Sequence, residues 1–372
     1  MKFTIAQDVL KTELAYVQSV VERRNMIPVL ANVLIESISE DAIRISGTDL
    51  DVTIRVDAVV EGMPTQGAMC VQARKLFDIA RLLPSGPVTF IKADNDWVTV
   101  EAGKSTFKLP GISKETFPEL SSFKATPLAI NAALLTSLIQ QTIFATTQEE
   151  GRYTLSGAKF EISKSRTRVI TTDGHRLALV ETNGAVRIEQ DGPLEVLLPR
   201  KTLAELMKIS AGFDGEVNFG VDENHVYFQI GARAVISRLL SGQFPNYEMV
   251  LPKNNDNVVT FDRAELNKAL KRIALMADDR SHAISLAITK DQTTISAETQ
   301  TEGEGQEVIA SELAGDEVTV GFNAQYIQDV LNVTTTQQVS FHFKDNNSQG
   351  EFRPVSDDST HTFKCVVMPM RL

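Results

Sequence analysis

Apolar residues recur at helical spacing in three well-separated stretches of the chain. Val9, Leu10, Leu14, Val17 and Val21 mark the first, Leu134, Leu135, Leu138 and Ile139 the second, and Leu266, Leu270, Ile273 and Ala274 the third. Steps of three and four residues put each set on one face of a helix. Helices are therefore predicted over residues 8–21, 132–144 and 264–276, each preceded by a short strand at 2–5, 127–130 and 258–261. Alternating segments follow in the same order each time: 33–37 and 43–47, then 158–162 and 168–172, then 284–289 and 293–298. A second helix comes next at 73–83, 200–207 and 323–331. A strand of one type follows it: Val88-Thr89-Phe90, Val217-Asn218-Phe219, Val339-Ser340-Phe341. Closing strands are expected at 105–109, 234–239 and 361–366. Two helices and several strands in one order, three times over, mark an internal repeat.

Phe117-Pro118 and Phe244-Pro245 trail the first two closing strands, where proline stops a strand. Boundaries near 122–126 and 252–256 give three domains, 1–124, 125–254 and 255–372. The fold class is α+β, each domain placing two helices on antiparallel sheet.

Composition narrows the function classes. With 37 Lys and Arg against 48 Asp and Glu among 372 residues, the net charge is −11, so indiscriminate coating of nucleic acid is not expected. The distribution matters more. Lys11, Arg23, Arg24, Arg74, Lys75, Arg81, Lys201, Lys208, Arg263, Lys268, Lys271 and Arg272 lie in or beside the predicted helices. Acidic residues crowd strands and loops, which makes the surface polarised; solvated helix faces are the plainer reading. No apolar run nears the roughly 20 residues that span a bilayer. The N-terminus lacks a signal-peptide core. Two distant cysteines, Cys70 and Cys365, suit a reducing cytoplasm.

Thr171-Thr172-Asp173-Gly174-His175-Arg176-Leu177-Ala178, Ala73-Arg74-Lys75 and the terminal Val366-Val367-Met368-Pro369-Met370-Arg371-Leu372 carry the most specific signal. Ser46-Gly47-Thr48-Asp49-Leu50-Asp51 and Phe244-Pro245-Asn246-Tyr247 add to it. On these motifs the whole chain resembles the bacterial DNA polymerase III β subunit family, the replicative sliding clamps. The resemblance implies a head-to-tail homodimer forming a ring of six similar domains, with helices lining a hole for double-stranded DNA. It implies a non-catalytic processivity factor without metal or cofactor. Implied partners are the replicative polymerase α subunit, the clamp loader, and other polymerases and repair proteins carrying clamp-binding peptides; no membrane partner is implied.

By position, the resemblance makes Arg24, Arg74, Arg152, Tyr153 and Lys201 DNA-facing. It makes Leu155, Thr172, Gly174, His175, Arg176, Leu177, Pro245, Val250, Asn323, Tyr326, Val366, Val367, Met368, Pro369, Met370 and Arg371 a peptide pocket. Phe107, Leu275 and Met276 become the dimer contact. The terminus supports the pocket independently, because an apolar chain end must be packed or form a binding patch. Its other reading is a closing strand of the third domain. Met249 stands where the family often carries a charge, and Gln148, Glu149, Glu150 and Thr154 surround the Arg152 position.

Two alternatives differ in class. One is an acidic peptide-binding scaffold that does not encircle DNA. The other is a hydrolase using Asp173 and His175, taken to lie two apart on a strand. Against it, the sequence has no Gly-x-Ser-x-Gly elbow, P-loop or HExxH. Asp49 and Asp51 resemble a metal pair but are expected in a structural strand.

Overall fold

The computed structural model describes residues 1–21, 27–120, 128–186, 188, 193–299 and 303–371. The chain folds into two compact units, one of Met1–Thr136 with Lys201–Leu239, the other of Ser137–Arg200 with Leu240–Leu372. Six α-helices are described: α1 (Gln7–Val20), α2 (Ala73–Leu82), α3 (Ala132–Gln140), α4 (Arg200–Ser210), α5 (Arg263–Ile273) and α6 (Ala324–Val333). None among the described residues is long and apolar enough to cross a membrane.

In the first unit a five-stranded antiparallel sheet runs Gly62–Thr65, Lys2–Ala6, Pro87–Lys92, Val98–Ala102, Ser105–Leu109. A nine-stranded sheet holds Asn32–Ser37, Ala42–Thr48 and Val52–Val59 near its middle. There Val52–Val59 pairs with Arg233–Arg238, setting Ile54 opposite Val235. Strands from the first and second sequence repeats thus share one sheet. Helix α1 buries Leu10, Leu14, Val17 and Val20 completely, each worth about 1.5–3 kcal/mol of apolar transfer. Gly47 lies under this helix: a Cβ there would sit 2.7 Å from Val17 Cγ1, so only glycine lets the helix approach. Phe3 and Phe90 stack at 4.8 Å on adjacent strands.

The second unit repeats the plan. Its nine-stranded sheet pairs Arg176–Asn183 with His361–Val367, placing Leu177 opposite Val366. A four-stranded sheet runs Gly303–Ala310, Gln292–Thr299, Ala283–Ile288, Val318–Asn323. Phe341 anchors this core between Phe352 at 4.6 Å and Phe322 at 5.5 Å. Cys70 and Cys365 are free and buried; burial pushes the Cys70 thiol up to about 12 and the Cys365 thiol up as well.

Four local expectations need correcting. Val9 is 36% exposed, because α1 starts at Gln7, whose Nε2 donates to Ala80 O at 2.7 Å and takes the inward position. The third amphipathic helix ends at Ile273, and Leu275 sits 77% exposed on a 3-10 turn, Ala274–Met276. Asp173 and His175 lie in a turn between Arg166–Thr172 and Arg176–Asn183 rather than on a strand. Asp49 and Asp51 occupy the corresponding turn between Ala42–Thr48 and Val52–Val59.

Candidate functional site

The turn after Thr172 is made by its own side chains. Gly174 adopts φ +89°, a conformation that favours glycine. Thr172 Oγ1 accepts from Gly174 N at 3.1 Å and donates to Arg176 O at 2.7 Å. Asp173 Oδ1 accepts from the backbone N–H groups of His175 and Arg176 at 2.9 and 3.0 Å. Asp173 is therefore an Asx-turn acceptor. With its other oxygen taken by Arg176 Nε at 3.0 Å, it has no geometry for orienting His175 as a base. The hydrolase reading fails on that count.

Arg176 extends from this turn with its side chain only 9% exposed. Besides Asp173, its Nη1 donates to Asp329 Oδ2 at 2.6 Å and its Nη2 to Phe144 O at 2.7 Å. The guanidinium also lies over the rings of Phe144 and Tyr326, at 5.2 and 4.4 Å. It clasps the turn to α6 and offers a ligand its hydrocarbon stem rather than a free charge.

Beside the clasp opens a cavity of about 130 Å3 lined by Leu155, Thr172, Gly174, His175, Arg176, Leu177, Pro245, Tyr247, Val250, Val366 and Met368. Beneath it Leu155, Leu177, Leu179, Phe244, Tyr247 and Val366 form one buried cluster. The chain end is sewn in from both sides: Met368 N donates to His175 O at 2.9 Å and Met370 N to Gly321 O at 2.8 Å. The terminus is at once a closing strand and a cavity wall. Met368 is 39% exposed at the rim.

The structure does not bring every expected pocket residue to this wall. Val367 is fully buried, since alternation along the strand turns it to the opposite face from Val366 and Met368. Asn323 caps α6, its Oδ1 accepting from Gln325 N and Tyr326 N. Tyr326 faces Arg176 instead of the cavity. Pro369 and Met370 are half-buried, Met370 itself forming the bridge to Gly321, and Arg371 lines a separate hollow with Ala283 and Ser285.

Tyr247 is the lining residue that sequence reasoning passed over, although its Phe-Pro-Asn-Tyr motif was in view. Its hydroxyl donates to Glu161 Oε2 at 2.8 Å and accepts from Arg168 Nη1 at 3.2 Å. Burial, then the Glu161 carboxylate, pushes its phenol up to about 12. Pro245 and Tyr247 also border a larger polar cavity of about 590 Å3 containing Lys159, Glu161, Arg168 and Glu248.

Of the expected DNA-facing residues, Arg24 lies outside the described residues. In the first unit, Arg74 is 55% exposed at the start of α2, 4.0 Å from Asp78. Lys201 is engaged by the Asp49 carboxylate and by Val20 O at 3.2 Å. In the second unit, Arg152 and Tyr153 lie on the 3-10 segment Glu150–Leu155. Tyr153 is 55% exposed, and Arg152 pairs with Glu149 at 3.1 Å. Among the described residues no group of three His, Cys, Asp or Glu could hold a metal ion.

Phe107 is 37% exposed on Ser105–Leu109, the last strand of its five-stranded sheet. Met276 packs beside Gly305 of Gly303–Ala310, the last strand of the four-stranded sheet, where a Cβ would meet Met276 Cγ at 2.9 Å.

Family models match almost the whole chain: the DNA polymerase III beta subunit N-terminal domain over 1–121, its central domain over 129–246, and its C-terminal domain over 248–371. The beta sliding clamp of Pseudomonas putida is 36% identical over 374 residues, with all of both chains covered. That of Escherichia coli K12 is 30% identical over 374 residues, again with all of both chains covered. The crystal structure of the Pseudomonas aeruginosa DNA polymerase III subunit beta superposes with a TM-score of 0.93 at 34% identity, covering all of both chains.

Proposed function

Because the chain belongs to the DNA polymerase III β subunit family, we propose that two copies close head to tail into a ring around double-stranded DNA. The protein is a sliding clamp, a non-catalytic processivity factor of DNA replication. It tethers the replicative polymerase α subunit and takes the clamp loader, other polymerases and repair proteins as further partners, in the cytoplasm.

The observation that carries this reading is a pair of open sheet edges. Ser105–Leu109 ends one sheet with Phe107 exposed, and Gly303–Ala310 ends another beside Leu275 and Met276. Exposed antiparallel edges invite pairing. Two different edges pairing between copies make a heterologous contact, which generates a ring when the rotation closes. Phe107, Leu275 and Met276 are the residues assigned to that contact. The ring is built of domains 1–124, 125–254 and 255–372 from each copy.

Exposed Lys11, Arg74, Lys75, Lys268 and Lys271 on α1, α2 and α5 supply the charge that holds phosphate without reading bases. Arg24, Arg74, Arg152, Tyr153 and Lys201 are assigned the DNA contacts. The cavity beside Arg176 takes short peptides bearing Leu and Phe, and its Met368 rim repacks around different partners. A tethered polymerase rebinds at high effective concentration instead of diffusing away. The test is topological. Clamp loaded on circular DNA should stay bound through gel filtration and be lost when the circle is cut; retention after cutting would refute encirclement.

A further inference from the structure

We propose that Arg152 is a positioning residue of the peptide pocket, shared with DNA: the guanidinium that braces the pocket turn is the one a backbone phosphate would draw away. The inference rests on the pocket and DNA contacts assigned under the proposed function, and three observations carry it. Arg152 Nη1 donates to the carbonyl of Asp173 at 2.8 Å, 21 residues on in the chain. A Cβ on Gly174 would meet the same nitrogen at 2.8 Å, so the guanidinium rests on the glycine that lines the cavity. Arg152 leaves helical geometry, with φ −117° and ψ 54°, inside a short 3-10 segment, and its side chain remains 43% exposed.

The brace therefore has one face on the turn and one in solvent. Its partners are a neutral carbonyl and the exposed Glu149 carboxylate at 3.1 Å. A phosphate offers a charge-assisted bond stronger than the one to the carbonyl. Moving Arg152 to a phosphate frees the Asp173 carbonyl and loosens the turn whose Thr172, Gly174 and His175 form the pocket wall. Duplex at this segment then weakens peptide binding, and by linkage a bound peptide weakens the duplex contact by the same factor.

The test is fluorescence anisotropy of a labelled peptide bearing adjacent Leu and Phe, on the full-length dimer, with and without a saturating primer–template duplex. The wild type should bind about fivefold more weakly with duplex present, within the usual range of such couplings. Arg152→Ala should show that weaker affinity already without duplex and no further change on adding it. Arg152→Lys, which keeps a donor and a positive charge, should recover most of the duplex-free affinity. A wild type that ignores the duplex, or an Arg152→Ala variant that binds peptide as tightly as the wild type, overturns the sharing. A wild type that binds no peptide overturns the pocket itself as well.

Discussion

Arg176 keeps its guanidinium inside the protein, its side chain only 9% exposed. Its position in the Thr-Asp-Gly-His-Arg motif put it at the pocket, but its charge is spent on Asp173 and Asp329 and on the carbonyl of Phe144. Asp329 stands 153 residues away in the chain, so no local spacing could reveal the pairing. The Asp173 turn, in contrast, was legible as a motif because all its bonds close within four residues. The same turn recurs at Thr48-Asp49-Leu50, where Thr48 Oγ1 accepts from Leu50 N at 3.0 Å and Asp49 Oδ1 accepts from Asp51 N and Val52 N at 3.0 and 2.6 Å. There Leu50 takes φ +81° in place of glycine. Replacing Arg176 by Ala leaves two partly buried carboxylates without their cation. It should lower stability by about 3 kcal/mol, read as a shifted urea midpoint, and should also abolish peptide binding; an unshifted midpoint would show that water replaces the clasp.

Among elements, the amphipathic helices were the most legible, because period and burial coincide over several turns. Their ends were not, since α1 begins where Gln7 finds Ala80 O, a bond between distant segments. The short Tyr247–Met249 turn was harder still: it is fastened to the sheet by Tyr247, held between Glu161 and Arg168 on neighbouring strands 86 and 79 residues away. This attachment has a pH signature. The phenol is raised from 10.0 to about 12 on folding. The folded state thus keeps a proton that the unfolded chain releases first. Its contribution is complete below the unfolded value and lost as pH rises between the two. Chemical denaturation across that interval should show stability falling with pH, and Tyr247→Phe should flatten the fall. Tyr227, raised to about 12 by burial and Asp222, and the thiols of Cys70 and Cys365, also raised by burial, leave a residual slope. A Tyr247→Phe slope equal to that of the wild type would count against the attachment.

For the whole molecule, three repeats were plain in the order of helices and strands, whereas the sharing of sheets between repeats was not. Pairings such as Ile54 with Val235 and Leu177 with Val366 join residues about half a chain apart, and periodicity is silent about partners at that range. The open edges make a prediction at the same level. Leu275→Ala with Met276→Ala removes apolar surface beside one edge and leaves the buried face of α5 untouched. Sedimentation equilibrium should then show the dimer constant weakened about a hundredfold, equivalent to roughly 3 kcal/mol. An unchanged constant would remove these residues from the contact.

The strand pairings that cross from one repeat to the next also limit how the chain can be taken apart. Excising the second repeat at its own boundaries would strip Arg233–Arg238 from Val52–Val59 and Arg176–Asn183 from His361–Val367. The excised piece would carry two raw hydrogen-bonding borders and the remainder two more, all prone to self-association. A gene segment encoding one repeat is therefore not a portable cassette. Any attempt to shorten or lengthen the chain by whole repeats must rejoin both seams together.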